Sequence, residues 1–558
     1  MPPRVGRWSL VFCWSLVVGC WSFLSCTSSP PPSPIAPPPR LAILIVVDQM
    51  RGDYLERFRP LWKGGFRRLL DEGLVFTNAE HDHACTQTAP GHATISTGVH
   101  PGRSGILGNT WYDRDAGANV ASVEDANTTL VPGDRKGASP RRLEVPAFAD
   151  WLRERHPETI VVSLSAKDRS AILLGGRDPR SNVYWHDELT GRFVTSTYYR
   201  TAPAPWIDAF NTRRPDDAFR DRVWDLFHPD PAVYALSNPD DAPGENDKDP
   251  VFPHRPPPRG RGDAAFYTWL EGTPWMDEIL FDAARDALAA LPLGRDDVPD
   301  LLAVSLTPTD IVGHRFGPNS REMQDQLLRL DAVLGRFLDD LAARFGRDGI
   351  VVALTGDHGV LPLPEDLQAR GFPGRRIAGD VHRDLETVER ELAAAHGEGD
   401  YFVVSNYQDL VLHRALLRKK NLDPDRIADD LAARLRSFGW VRGAYTRKEL
   451  LASPETPGDD RIFAKHACHP VRSGDVLFQP VEYALLSGAP SGTSHGTVYR
   501  YDRHVPIVFW GGVPSGVVNR HVRTVDIAPT LARLLRVPPP GGLDGGILPE
   551  AVDRRVNR

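Results

Sequence analysis

The chain has 558 residues, 41% hydrophobic and 25% charged, a composition that excludes wholesale disorder and a polytopic membrane protein. Lys+Arg 66 against Asp+Glu 73 leaves a formal charge of −7, which offers no basic surface to a nucleic-acid polymer. Five Cys without a Cys-x-x-Cys pair exclude a disulfide scaffold and a Cys-ligated metal, so any metal site must draw on Asp and the 18 His.

Arg4 and Arg7 precede an uncharged apolar run over 8–25, followed by Thr27-Ser28-Ser29 and a Pro-rich run to Pro39. Residues 1–25 are predicted as a secretory signal peptide and 26–40 as a semi-rigid Pro-rich tether. Phe23-Leu24-Ser25-Cys26 resembles the end of a bacterial lipoprotein signal, with Cys26 as the lipidated residue. Val17-Val18-Gly19-Cys20 is a competing site, and an uncleaved anchor helix is a further alternative. Each reading places the folded domain outside the cytoplasm, periplasmic or on the outer surface, with contact to the membrane only through this segment. Cys85 and Cys468 are then the ordinary thiols left, able to pair in an oxidising compartment if they meet.

From Leu41 the sequence Leu-Ala-Ile-Leu-Ile-Val-Val is apolar without alternation, as in a strand buried on both faces of a parallel sheet. Similar runs recur at 160–164, 301–306, 350–354 and 507–510, with amphipathic helical stretches between them. The clearest helix spans 319–345, with Asn319 and Glu322 as a capping box, a stripe from Met323 to Leu341, and Gly346 beyond. This alternation predicts an α/β fold with a central, mostly parallel sheet flanked by helices. Residues 175–265, rich in Pro, Asp and Arg, read as surface insertion and loop. Residues 362–485 show helical patterns at 385–395 and 426–438 and one short strand at 401–405, an α+β insertion or cap. The catalytic domain is therefore expected over 41–361 and 486–548.

In an open α/β sheet, ligands bind beyond the carboxyl ends of the strands. Asp48, Asp310 with His314, Asp357-His358, and Lys167-Asp168-Arg169 all follow apolar runs. Adjacent Asp357 and His358 can serve one site only on a turn, which Gly356 and Gly359 supply. His495 sits in a small-residue loop, Gly492-Thr-Ser-His-Gly-Thr497. Three carboxylates and three imidazoles suit Zn2+, in number enough for two ions; taken singly, each also reads as a surface pair, a core His or, for Asp48, a helix N-cap. Thr88 is the candidate nucleophile, at the start of a short helix with Pro90 in its first turn and Gly98 at its end. Thr86 is its rival, and an ordinary Thr cap is the bland reading. Asn109 can donate to a phosphoryl oxygen or be a turn residue beside Gly108. Lys167 and Arg169, two apart, point the same way in an extended segment and can hold phosphate oxygens, or form a solvated turn neutralised by Asp168. His81 and His83 are placed on the approach to Thr88 without a role. Cys468 with His466 and His469 mimics a metal cluster but lacks a fourth ligand nearby and reads as a structural loop.

The segments Val-Asp48-Gln-Met-Arg-Gly-Asp-Tyr, Thr88-Ala-Pro-Gly-His, Gly-Asn109-Thr-Trp-Tyr-Asp, Asp310-Ile-Val-Gly-His314, Gly-Asp357-His358-Gly, Ser-His495-Gly and Thr524-Val-Asp-Ile-Ala-Pro-Thr530 occur in this order. Together they resemble the alkaline phosphatase superfamily, in the branch that holds nucleotide pyrophosphatase/phosphodiesterases and Thr-dependent alkaline phosphatases. The resemblance implies two zinc ions, one on Asp310, His314 and His495 and the other on Asp48, Asp357 and His358, with Thr88 oxygen between metal and phosphorus. It implies zinc-dependent hydrolysis of small phosphate monoesters through a phosphothreonine, with Asn109, Lys167 and Arg169 on the phosphoryl oxygens. Diesterase members usually carry Asn-His where this chain has Gly91-His92, whereas Lys167-Asp168-Arg169 looks like the Lys-x-Arg pair of the monoesterases. A phosphodiesterase or nucleotide pyrophosphatase is the main alternative, and a non-catalytic metal-binding surface protein the one from another class. The sulfatase motif Cys/Ser-x-Pro-x-Arg is not supplied by Cys85-Thr86-Gln87-Thr88.

Overall fold

Side chains of the strand Leu41–Val47 leave it alternately for two different cores. Leu41, Ile43, Ile45 and Val47 enter one apolar cluster, and Ala42, Leu44 and Val46 enter a second on the opposite face of the sheet. Apolar residues at every position are the consequence, because neither face meets water. The computed structural model describes residues 37–553 apart from 247, 260–262, 407 and 457. The predicted signal peptide, Cys20 and Cys26 lie outside the described residues. Among the described residues no helix is long and apolar enough to cross a membrane.

Five strands form the parallel centre of a 12-stranded sheet, in the order Ile350–Gly356, Leu41–Val47, Asp300–Leu306, Val161–Ser165, Asn182–Asp187. The run at 507–510 belongs to the strand His504–Gly511, which pairs antiparallel with Ile350–Gly356. The sheet is thus mostly parallel at its centre, as expected, with antiparallel flanks. Val47 is in register with Leu306 on one side and Gly356 on the other. Three chain segments far apart in sequence therefore end level at one edge.

The long helix is Arg321–Phe345, and its N-cap is Ser320, not Asn319: the Ser320 hydroxyl accepts from the Met323 N–H at 3.0 Å. Asn319 instead accepts from Arg57 and donates to Asp366, so tertiary partners displaced it from the cap. Met323, Leu327, Leu330, Leu334, Phe337, Leu338 and Leu341 pack into the first core, as their spacing predicts.

Two regional expectations need correction. Residues 175–265 are more than surface loop. The strands Asn182–Asp187 and Arg192–Ser196 extend the main sheet, and Phe193, Phe210, Trp224 and Tyr234 enter the first core. Scattered aromatics carry this burial, so the polar composition around them hid it. The stretch 238–262 does remain free of helix and strand among its described residues. Within 362–485 there are four longer strands where one was expected, Phe402–Ser405, Asp409–Leu412, Val441–Thr446 and Val476–Pro480, all antiparallel to their neighbours. The helices Ala378–His396 and Pro424–Leu435 share a separate apolar core with this sheet.

Candidate active site

The level strand ends place the carboxylates. Asp48 follows Val47 directly, Asp357 follows Gly356, and Asp310 lies in the helix Pro308–Phe316 just past Leu306. Because their strands are neighbours, the three converge without any change in the sheet. Asp357 and His358 lie past the strand end, on a turn, which lets both face one site. Gly356 and Gly359 are small there because neighbouring backbone is close: a Cβ on Gly359 would lie 2.2 Å from the Tyr501 carbonyl oxygen, and one on Gly356 2.7 Å from that of Met50.

Two groups of donors result. Asp310, His314 and His495 each present an atom within 4.8 Å of the others, and so do Asp48, Asp357 and His358. His314 Nε2 is 3.3 Å and His495 Nε2 3.8 Å from Asp310 Oδ1, while His358 Nε2 is 3.4 Å from Asp48 Oδ1. The His358 and His495 rings stack with centroids 3.6 Å apart, which brings the two groups together.

All three imidazoles donate Nδ1–H to a backbone carbonyl: His314 to Thr493, His495 to Thr86 and His358 to Gly359, at 2.6–2.9 Å. A carbonyl only accepts, so each ring carries its proton on Nδ1 and turns the Nε2 lone pair into the site, the arrangement of metal-ligating His. Asp48 Oδ1, Asp357 Oδ2 and His358 Nε2 are buried with no hydrogen-bond partner. Buried acceptors without donors are costly and uncommon. All three belong to the Asp48/Asp357/His358 group, where a divalent cation would satisfy them, and the donor set of Asp310, His314 and His495 fits such an ion as well.

The electrostatics agree. Burial, with the Asp310 and Asp357 carboxylates alongside, pushes Asp48 up to about 8. Against the same burial penalty, Lys167 and His314 hold Asp310 well below the usual carboxylate range, and His358 and His92 do so for Asp357. Burial and the neighbouring His358 hold His495 low, whereas Asp310 raises His314 against its burial.

Thr88 is the first residue of the helix Thr88–Thr97, after extended Gln87, and Gly98 closes the helix in the left-handed region at φ 66°. Helix N-termini favour developing negative charge. The rival Thr86 donates its hydroxyl to the Thr497 carbonyl at 3.0 Å, so it is committed elsewhere. Asn109 accepts the Ala89 N–H at 2.9 Å, while its own N–H donates to Gln87 Oε1. That pair ties Asn109 to the start of the Thr88 helix and leaves its amide NH2 as the donor.

The segment after Val161–Ser165 is not extended as expected. Lys167 has extended backbone, but Asp168–Gly175 is helical, so Arg169 stands in the first helical turn. Lys167 Nζ lies 2.6 Å from both Asp48 Oδ2 and Asp310 Oδ2, at the point where the two groups meet. Arg169 donates its backbone N–H to Asp168 at 2.6 Å, but its guanidinium comes no nearer that carboxylate than 4.0 Å, and its Nε is buried without a partner. The bland alternative, a turn neutralised by Asp168, does not describe Lys167.

Sequence reasoning missed two residues. Gln49, at φ 64°, donates its backbone N–H to Asp357 and its side-chain NH2 to Asp310 at 2.7 Å, cross-linking the two groups. A left-handed non-Gly residue beside a predicted ligand is where strain collects at functional sites, yet Gln after a strand carries no signal by itself. His92 touches Asp357 Oδ2 at 3.1 Å, the Thr88 carbonyl at 2.8 Å and Ser305 Oγ at 2.9 Å, and so aligns the Thr88 helix with the second group. A Cβ on Gly91 would lie 2.1 Å from the Asp357 carbonyl oxygen, so the helix reaches this position only with Gly there. His81 and His83 are buried and do not line an approach: His81 bonds the Gly356 carbonyl and Thr524, His83 the Ala84 carbonyl and Thr94. Cys85 and Cys468 are both free, and lie in different apolar clusters.

Residues 42–442 match the family model for type I phosphodiesterase / nucleotide pyrophosphatase. The chain is 32% identical over 530 residues to alkaline phosphatase PafA of Elizabethkingia meningoseptica, covering 93% of this chain and 95% of that one. It is 33% identical over 522 residues to alkaline phosphatase PhoV of Synechococcus elongatus, covering 91% and 92%. The crystal structure of wild-type PafA superposes with a TM-score of 0.85 at 31% identity, covering 93% of this chain and 100% of that one. The chain therefore belongs to the type I phosphodiesterase / nucleotide pyrophosphatase family, in the Thr-nucleophile branch of the alkaline phosphatase superfamily.

Proposed function

We propose that this enzyme hydrolyses small phosphate monoesters with Thr88 as nucleophile, using two zinc ions on Asp310/His314/His495 and Asp48/Asp357/His358. The observation that carries the reading is the meeting of two Asp/His groups at the Lys167 ammonium. PafA and PhoV, which align over nearly their whole length, are alkaline phosphatases by name. A variant of PafA with one threonine, one asparagine, one lysine and one arginine replaced together has also been crystallised, and these are the residue types of Thr88, Asn109, Lys167 and Arg169.

The divalent ions would supply Lewis-acid stabilisation of charge on the attacking and leaving oxygens. The chain's own groups do the rest. Thr88 Oγ, held at a helix N-terminus, attacks phosphorus in line. The bond to the leaving oxygen breaks with its electron pair, the Thr88 hydroxyl gives up its proton and the leaving oxygen takes one up, and a phosphothreonine results. Asn109 NH2, Lys167 and Arg169 hold the non-bridging oxygens of the loose transition state. Water then attacks phosphorus, the bond to Thr88 Oγ breaks with its electron pair, a proton from the water restores the Thr88 hydroxyl, and inorganic phosphate leaves. The net charge of −7 implies that attraction of the anion is local to these cations.

The monoester assignment rests on two cations facing a dianion, where a diester offers one charge and a second substituent. Charge-assisted hydrogen bonds of ~1.5–3 kcal/mol each predict a kcat/KM for an aryl monoester roughly 10²-fold or more above that of the matching diester. Arg169→Ala should reduce that ratio. A ratio favouring the diester would establish the nucleotide pyrophosphatase/phosphodiesterase reading instead.

We also propose that the protein is exported and anchored by lipid on Cys26. Cys26→Ser should then move the enzyme from the membrane fraction to the soluble periplasmic fraction. Unchanged fractionation would favour Cys20 or an uncleaved anchor.

A further inference from the structure

The insertion sends one hairpin against the segment that carries Asn109. Its strands Phe402–Ser405 and Asp409–Leu412 pair antiparallel, with Ser405 opposite Asp409 at the end of the register. Asn406 and Gln408 stand at the tip, and both are buried. Asn406 has left-handed backbone at φ 44°, a conformation that Asn adopts more readily than most residues with a side chain.

The hairpin holds the Asn109 segment at two points. The Asn406 NH2 donates to the Leu107 carbonyl at 3.0 Å, and the Ser405 hydroxyl accepts the Tyr112 N–H at 2.8 Å. Asn109 lies between them. A Cβ on Gly108 would lie 2.3 Å from Asn406 Oδ1, so the Gly before Asn109 admits this approach. Asn406 Oδ1 also accepts the Gln87 NH2 at 3.0 Å, and Gln87 Oε1 accepts the Asn109 backbone N–H at 2.8 Å. Leu107, Asn406, Gln87 and Asn109 thus form a closed ring of bonds, with Gln87 directly before Thr88. From the same tip, the Gln408 NH2 donates to the Gly496 carbonyl at 2.7 Å, one residue past His495.

The groups at the ends of this relay fix both amides. A backbone N–H only donates, so Gln87 turns Oε1 to Asn109 and its NH2 to Asn406. A carbonyl only accepts, so Asn406 turns its NH2 to Leu107 and Oδ1 to Gln87. Reversing either amide breaks the bonds at both of its ends. Gln87 and Asn406 are buried, so a link removed leaves a polar group short of a partner. Asn109 Oδ1 is already held by the Ala89 N–H. The direction of its remaining NH2 therefore depends on the backbone at 107–109, which Asn406 and Gln87 hold.

We propose that Asn406 is a positioning residue for phosphate ester hydrolysis: through Gln87 and the Leu107 carbonyl it sets the direction of the Asn109 NH2. The insertion then completes the phosphoryl site rather than only covering it. This inference rests on the reading of Asn109 as a donor to a phosphoryl oxygen. Asn406 lies 319 residues from Gln87 and 299 from Leu107, so nothing near it in the sequence announces the role.

A double-variant cycle on the full-length, zinc-loaded enzyme tests the relay. Asn406→Gly removes both side-chain bonds and suits the left-handed backbone. It should lower kcat/KM for an aryl phosphate monoester on the order of 10-fold, and weaken competitive inhibition by inorganic phosphate by a similar factor. In an Asn109→Ala background the same substitution should cost less than about 2-fold in both readouts, because the group being positioned is gone. If Asn406→Gly does not fold, Gln87→Met keeps the length of the side chain, removes the middle link and carries the same cycle. Equal losses in the two backgrounds, or no loss when Asn109 is present, would overturn the positioning role. Asn109→Ala alone separates this inference from the reading beneath it. Unchanged kcat/KM and phosphate inhibition in that variant would overturn both. A loss there, with an undiminished further loss from Asn406→Gly, would sink only the relay.

Discussion

Thr88→Ala should lower kcat for an aryl phosphate by on the order of 10⁴-fold or more while the protein keeps its bound metal. The hydroxyl is the one group that forms and breaks a bond to phosphorus, and neither donor group passes through it: Asp310/His314/His495 and Asp48/Asp357/His358 are complete without Thr88. The helix N-terminus, Asn109 and Lys167 stay in place in the variant. Residual turnover would measure what positioning and charge achieve without the covalent step. Steady-state kinetics beside metal analysis on the same sample decides the matter. Full activity would move the nucleophile, with Thr86 next in line even though its hydroxyl is held by the Thr497 carbonyl. Loss of both metal and activity would show instead that the Thr88 oxygen is needed to hold an ion.

Removing the divalent ions with a chelator should abolish activity and also reshape the pH dependence of stability. The cause is the packing of three carboxylates in one buried site. Burial together with Asp310 and Asp357 raises Asp48 from 3.8 to about 8. The unfolded chain ionises Asp48 near 3.8, so the metal-free folded state binds a proton that the unfolded state does not. Stability from this group is therefore complete below the lower value and is lost as pH rises through about 8. Asp310 and Asp357 are shifted the other way and lose their contribution only as pH falls below the usual carboxylate range. Metal-free protein should accordingly unfold more easily at pH 8 than at pH 5 by this contribution, and metal-free Asp48→Asn should lack it. Asp310 shifts His314 up and burial shifts His495 down from the usual imidazole value, and comparing wild type with Asp48→Asn separates the Asp48 contribution from theirs. Thermal melts across that range provide the measurement. Identical pH profiles for the two metal-free proteins would mean that Asp48 is not the proton site. Readdition of zinc should restore turnover and flatten the wild-type profile.

Much of the site was legible because its chemistry sits where strands end. Asp48, Asp310 and Asp357 each stand within a few residues of an apolar run, and the run tells where the strand stops. His495 was legible because a buried imidazole has little reason to lie in a loop of Gly, Ser and Thr. Gln49 and His92 were not, since their roles come from partners 308 and 213 residues away for which nothing in the local sequence speaks. The same reason hid Ser320 as the helix cap. Asn319 and Ser320 are equally good caps by type, and the choice fell to Ser320 once Arg57 and Asp366 had claimed Asn319.

The Lys167-Asp168-Arg169 segment shows the limit from the other side. Its residue types suggested a cationic pair, but an extended geometry was assumed from the spacing alone. The segment is instead the start of a helix that packs beside the Thr88 helix, and Lys167 reaches both carboxylates.

By itself, the sequence determined the central parallel strands and the helix that begins at Thr88, and it singled out six Asp and His residues that the structure draws into two groups, because buried strands, helix ends and strand-end polar residues each demand particular residue types in short stretches. Only the tertiary structure decided how donors from distant segments are grouped and oriented. Register brings Val47, Leu306 and Gly356 level, and backbone carbonyls turn each imidazole. Apart from the His358–Gly359 bond, these contacts join groups well over a hundred residues apart, set by the packing of whole elements, and no local pattern encodes them.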